Sequence, residues 1–155
     1  MTHTYKPIPS DIVAAYRAGA PDANGQVPER IVTPSPGAPC RHCLKFIPVG
    51  APMLILAHRP FDRLQPYAEC GPIFLCAEAC QPHEGGEVPE IFADTAMLVR
   101  GYGANERIVY GTGQVAPAGA LNETCDAILQ DPDVAFLHIR SASNNCFQAR
   151  VERSG

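Results

Sequence analysis

Residues 134–153 read VAFLHIRSASNNCFQARVER. Two β-rich runs flank Ser143-Asn144-Asn145, the pattern of a β-hairpin. A three-residue loop sets Ala142 opposite Cys146, Ile139 opposite Ala149 and Leu137 opposite Val151. Leu137, Ile139, Phe147, Ala149 and Val151 then share one face, and His138, Arg140, Gln148 and Arg150 share the other. A one-residue slip would set Ile139 against Arg150 and mix the two faces. The loop needs a left-handed residue at its end, and Asn145 tolerates that conformation better than most non-glycine residues.

The segment before this hairpin supplies what it packs on. Leu121, Thr124, Cys125, Ile128 and Leu129 recur at the spacing of a helix with one buried face. Pro117 is placed to start that helix and Asp131-Pro132 to end it. Ala96–Tyr102 and Arg107–Val115 read as strands joined by GANE. Residues 96–153 therefore predict a β-β-α-β-β unit, a helix on an antiparallel sheet, and an α+β fold class.

The N-terminal half is less regular. Sixteen prolines and thirteen glycines in 155 residues imply short elements and long loops. Ser10 is placed to cap a short helix that Gly19 stops. Arg30–Thr33, Met53–His58 and Gly71–Leu75 read as strands, the last two as a hairpin. A short helical turn follows at 76–80, limited by Pro82. The expected organisation is one domain over 1–155: a helix and arm at 1–29, a cysteine-rich hairpin region at 30–95, and the β-β-α-β-β region at 96–153.

The net charge of −4 argues against a broad nucleic-acid footprint, which needs a clustered basic face. No apolar run approaches the roughly 20 residues that a membrane-spanning helix requires. The N-terminal MTHTYKPIPSD lacks the apolar core of a secretory signal. A cytoplasmic protein with no membrane association is expected, with a protein partner left open. Seven cysteines, an odd number, do not suit a disulfide framework in a reducing compartment.

Four of those cysteines form two short-spaced pairs, Cys40-x2-Cys43 and Cys76-x3-Cys80. The hairpin between them would return the second pair to the first. Zinc takes four thiolate or imidazole ligands in a tetrahedron, so Cys40, Cys43, Cys76 and Cys80 are the predicted ligands of one Zn2+. His42 or His83 could replace one cysteine. Cys125, on the buried helix stripe, reads as core, and Cys70 and Cys146 receive no role. The order of knuckle, hairpin and second pair resembles a treble-clef zinc finger, with Pro82 cutting the final helix short.

The stretches PCRHCL, RPF, PYAECGPIFL and FLHIRSASNNCFQARVER together resemble the bacterial family known as domain of unknown function 1203, from about residue 30 to residue 153. The resemblance implies a small single-domain bacterial protein without an established activity. A binding or structural protein with one structural zinc is favoured over an enzyme. Two alternatives stay open. Cys40 and Cys43 could form a thiol redox pair. A hydrolase could use a catalytic zinc or a pocket at His138 and Arg140. In that pocket Arg59 and Arg140 would hold an anion, and His138 or Glu69 would serve as acid or base beside Tyr67.

Overall fold

The computed structural model describes residues 3–154. In chain order the elements are β1 (His3–Lys6), α1 (Ser10–Arg17), β2 (Glu29–Val32), β3 (Pro52–His58) and β4 (Gly71–Cys76). They continue with a 3-10 turn (Glu90–Phe92), β5 (Met97–Tyr102), β6 (Gln114–Ala116), α2 (Leu121–Ile128), β7 (Phe136–Ser141) and β8 (Phe147–Arg153). The fold is α+β, with one antiparallel sheet ordered β1-β8-β7-β5-β6 and a second ordered β2-β3-β4.

The closing hairpin keeps most of its expected register. Leu137 faces Val151 and Ile139 faces Ala149, but Arg140 pairs with Phe147. Gln148 is therefore an extra residue, a β-bulge, and Phe147 moves to the face of His138 and Arg140. The turn explains the shift. Ser141 N–H donates to Cys146 O at 3.0 Å and Asn145 N–H to Ser141 O at 2.9 Å, which leaves residues 142–145 as the loop. Asn145 is left-handed, with φ 60°.

Four further expectations are corrected. Only the last two residues of the 107–115 segment enter a strand, Gln114–Ala116, because Gly111 turns the chain at φ 95° after a single bridge from Ile108 to Tyr102. Helix α2 begins at Leu121, four residues after Pro117, because Ala120 N–H closes a tight turn onto Pro117 O. Residues 77–80 form a bend and no helical turn. Ser10 is the first residue of α1 and does not cap it; Pro9 holds the capping position, and the Ser10 hydroxyl goes to His42. The helix does end at Gly19: Gly19 N–H donates to Tyr16 O and Ala20 N–H to Ala15 O, the paired bonds of a Schellman stop.

Two apolar cores result. One face of the five-stranded sheet buries Tyr5, Val99, Leu137, Ile139 and Val151 against Leu121, Cys125 and Ile128 of α2. A second core joins Val13 of α1 with Ile47, Met53, Leu56, Ile73 and Leu75. Phe147, displaced by the bulge, is the residue of β8 that enters the second core. Burial of each such side chain is worth roughly 1.5–3 kcal/mol. Among the described residues no helix is long and apolar enough to cross a membrane.

Candidate metal centre

Cys40 and Cys43 sit on a tight knuckle. Cys40 N–H donates to Lys45 O and Leu44 N–H donates back to Cys40 O, both at 3.0 Å. Leu44 takes φ 56°, a left-handed conformation that a branched side chain seldom adopts. The cost is about 1–2 kcal/mol. Complete burial of the Leu44 side chain in the first core offsets it. The knuckle also docks on β4, where Cys40 bridges Phe74 and Arg41 N–H donates to Phe74 O at 3.1 Å. β4 ends at Cys76, opposite Met53, and the following bend delivers Cys80.

The four sulfurs of Cys40, Cys43, Cys76 and Cys80 all lie within 4.8 Å of one another, and Cys40 and Cys80 are 4.0 Å apart. A tetrahedron with Zn–S near 2.3 Å has edges of about 3.8 Å, so the set needs a contraction of about 1 Å at most. Cys40 is fully buried and the others are half-buried. Such a donor set could hold a metal ion.

The surroundings are built for negative sulfur. Cys40 Sγ accepts the N–H groups of His42 at 3.4 Å and Cys76 at 3.3 Å. Cys80 Sγ receives Arg17 Nη2 at 3.2 Å and lies 3.1 Å from His42 Nδ1. The other ring nitrogen, Nε2, is 2.8 Å from Ser10 Oγ. A Ser10 hydroxyl donating to Nε2 leaves the proton on Nδ1, where it points at Cys80. Hydrogen bonds from Cys40, Cys43 and Cys76 hold the Cys80 thiol far below its ordinary value, and His42 adds to this. Contacts with Cys43 and Cys76 lower Cys40 to about 6, and contacts led by that with Cys40 push Cys43 and Cys76 up. Four thiols this close cannot all ionise together, and a divalent cation that displaces the remaining protons relieves the repulsion.

Sequence reasoning assigned the four cysteines but missed what lies between and beside them. Arg41 is buried; its Nε donates to Phe147 O and its Nη1 to Pro39 O, both at 2.8 Å. Its guanidinium also lies 5.7 Å from the Phe74 ring centroid. One residue thus ties the knuckle to both sheets. Burial lowers the Arg41 pKa to about 10, which leaves it charged. Arg17 gives no sequence signal and Ser10 gives only that of a helix cap, because their partners at the cluster are distant in the chain.

The remaining predicted residues separate. His83 N–H donates to His42 O, but its ring packs against Tyr5 and away from the metal set. Cys125 is buried under α2, as expected. Cys70 is exposed, and neither it nor Cys146 joins the cluster. The anion pocket expected from Arg59 together with Arg140 does not form as one site. Arg59 shares a cleft with His138, whereas Arg140 lies beyond Phe147 with Glu69 and Asn145. Glu69 is occupied by Arg100 at 3.2 Å and Arg140 at 3.8 Å. Tyr67 turns away to Tyr110, hydroxyl to hydroxyl at 2.8 Å.

These features define an α+β protein with two antiparallel sheets and a partly buried four-cysteine cluster that could hold a metal ion. Residues 37–153 match the family described as protein of unknown function DUF1203, and the chain belongs to that family. No curated protein and no solved structure matches it. Of the treble-clef arrangement, the knuckle and hairpin are present, and the terminal helix is absent.

Proposed function

We propose that the protein is a binding or structural protein in which one Zn2+, held by Cys40, Cys43, Cys76 and Cys80, locks the knuckle, the β3–β4 hairpin and α1 together. The observation that carries this reading is the convergence of four sulfurs within 4.8 Å from segments separated by residues 44–75. The N–H groups aimed at Cys40 and Cys80 support it further, since they offset the two negative charges that Zn(Cys)4 retains. Four protein ligands close the coordination shell and leave no position for a substrate, which suits a structural zinc better than a catalytic one. A redox role for Cys40 and Cys43 fits less well, because Cys40 is fully buried and a reactive thiol needs access.

The test is removal of the metal. Protein purified in zinc-containing medium should carry about one zinc per chain. A strong zinc chelator should lower its melting temperature, and added zinc should restore it. Metal-free protein that melts at the same temperature as the zinc-loaded form would overturn the proposal.

A further inference from the structure

The second face of the five-stranded sheet carries a row of cross-strand neighbours: Arg100, His138, Arg150 and Lys6, on β5, β7, β8 and β1. His138 is completely buried, yet neither ring nitrogen has a hydrogen-bond partner among the described residues. Its ring is enclosed by those of Phe61, Tyr102, Phe136 and Phe147, with centroids 4.7–5.3 Å away. Arg100 Nε, Arg140 Nε and the Tyr102 hydroxyl on the same face are also buried and unpartnered. Polar atoms in an apolar interior ordinarily find partners, because an orphan costs about 1–3 kcal/mol. So many orphans on one sheet face mark a place kept polar for something other than stability.

That place has an opening. His138 lines a cleft of about 470 Å³ whose walls also include Lys6, Arg59, Phe61 and Arg150. Arg150 is held by Glu152 at 2.7 Å and lies over the Phe136 ring. Lys6 and Arg59 have no carboxylate within ion-pair distance among the described residues. Lys6, Arg59 and Arg150 outnumber Asp62 and Glu152 in the lining by one charge, in a chain whose net charge is −4. Apart from His58, the rest of the wall is apolar, with Ile8, Ile12, Phe147 and three prolines. Pockets that bind small molecules combine these features: apolar walls, few convergent polar groups and a suitable volume.

We infer that this cleft binds a small organic anion, an apolar body bearing one carboxylate or phosphate group, with the anionic head at Arg59 and Lys6 and a hydrogen bond to His138. Burial, followed by the fields of Arg140, Arg150, Arg100 and His58, keeps the imidazole neutral, so it offers one donor and one acceptor. The site is separate from the cysteine cluster and does not depend on the zinc reading.

The test uses the full chain, with its metal content verified, and nitrogen-detected NMR of the His138 ring. The probes are benzoate and phenyl phosphate, with benzamide as the neutral isostere of benzoate. A saturable shift of the His138 nitrogens with at least one anion, about tenfold weaker with benzamide, supports the proposal, and the tighter anion identifies the head group. Arg59→Gln should weaken binding by about fivefold or more, and Arg30→Gln, outside the cleft, by less than about twofold. No shift with either anion, an equal response to benzamide, or unchanged affinity in Arg59→Gln would overturn it.

Discussion

His42 Nδ1 lies 3.1 Å from Cys80 Sγ, so the spacer of the first cysteine pair is hydrogen-bonded to the last cysteine of the second. Ser10 holds the opposite edge of the same ring at 2.8 Å, and Arg17, one helix length further, reaches Cys80 as well. Helix α1 therefore packs on the cysteine cluster through polar contacts from its first and last turns. The cluster joins three segments that also share the second apolar core.

Replacing His42 separates support from ligation. His42→Ala removes the donor to Cys80 without removing a sulfur. Zinc affinity should fall by about 10–100-fold, the usual cost of losing a partner of a metal ligand. Competition with a chromophoric chelator measures this. Cys80→Ser should lose far more, and a His42→Ala protein with no zinc at all would mean that His42 itself is a ligand.

Arg41 is the covalent neighbour of the cluster but acts on the fold. Arg41→Met keeps an apolar stem and leaves Phe147 O without its donor. A loss of about 1–3 kcal/mol in unfolding free energy follows. Denaturant titration of the zinc-loaded protein checks it, and zinc stoichiometry should stay the same.

His138 should behave in the opposite way to an ordinary core residue. His138→Leu replaces two orphaned nitrogens by an apolar side chain of similar volume. Unfolding free energy near neutral pH should rise by about 1–3 kcal/mol. A destabilised His138→Leu protein would show that the imidazole has partners that stabilise the fold.

The same histidine sets a pH dependence. Burial holds the folded-state pKa of His138 well below 6.5, and burial plus Arg41 lowers that of His58 to about 4. In the unfolded chain both titrate near their ordinary value. Below about pH 6.5 the unfolded state takes up protons that the folded state does not, so stability falls by up to about 1.4 kcal/mol per pH unit for each histidine. The contribution of His58 stops changing near pH 4, and that of His138 continues lower. Acid also weakens zinc binding, but equally in wild type and His138→Leu. The gap between the two should therefore widen in favour of the variant between about pH 7 and 5.

Legibility differed by element. The β7–β8 pairing could be read because alternating side chains on both strands permit one register that keeps the faces apart. The bulge at Gln148 could not, since it depends on where the turn closes, and that is decided by the Ser141 and Asn145 backbone bonds. Strand β1 was missed: THTYK carries a single large apolar residue, and the burial of His3 and Tyr5 exists only once β8 lies beside them. The convergence of the four cysteines could be read because their short spacings are those that metal sites use. Ser10, Arg17 and Arg41 could not, because a hydrogen bond to a distant sulfur or carbonyl leaves no periodic trace in sequence. The sequence places His138 and Arg59 in one anion pocket with Arg140, but the cleft they share without Arg140 needs the sheet topology.

X-ray absorption at the zinc edge tests the central claim most directly. For the purified full-length protein the account predicts about one zinc per chain with four sulfur neighbours near 2.3 Å. A first shell containing nitrogen or oxygen near 2.0–2.1 Å, or protein that binds no zinc when offered it under reducing conditions, would contradict it.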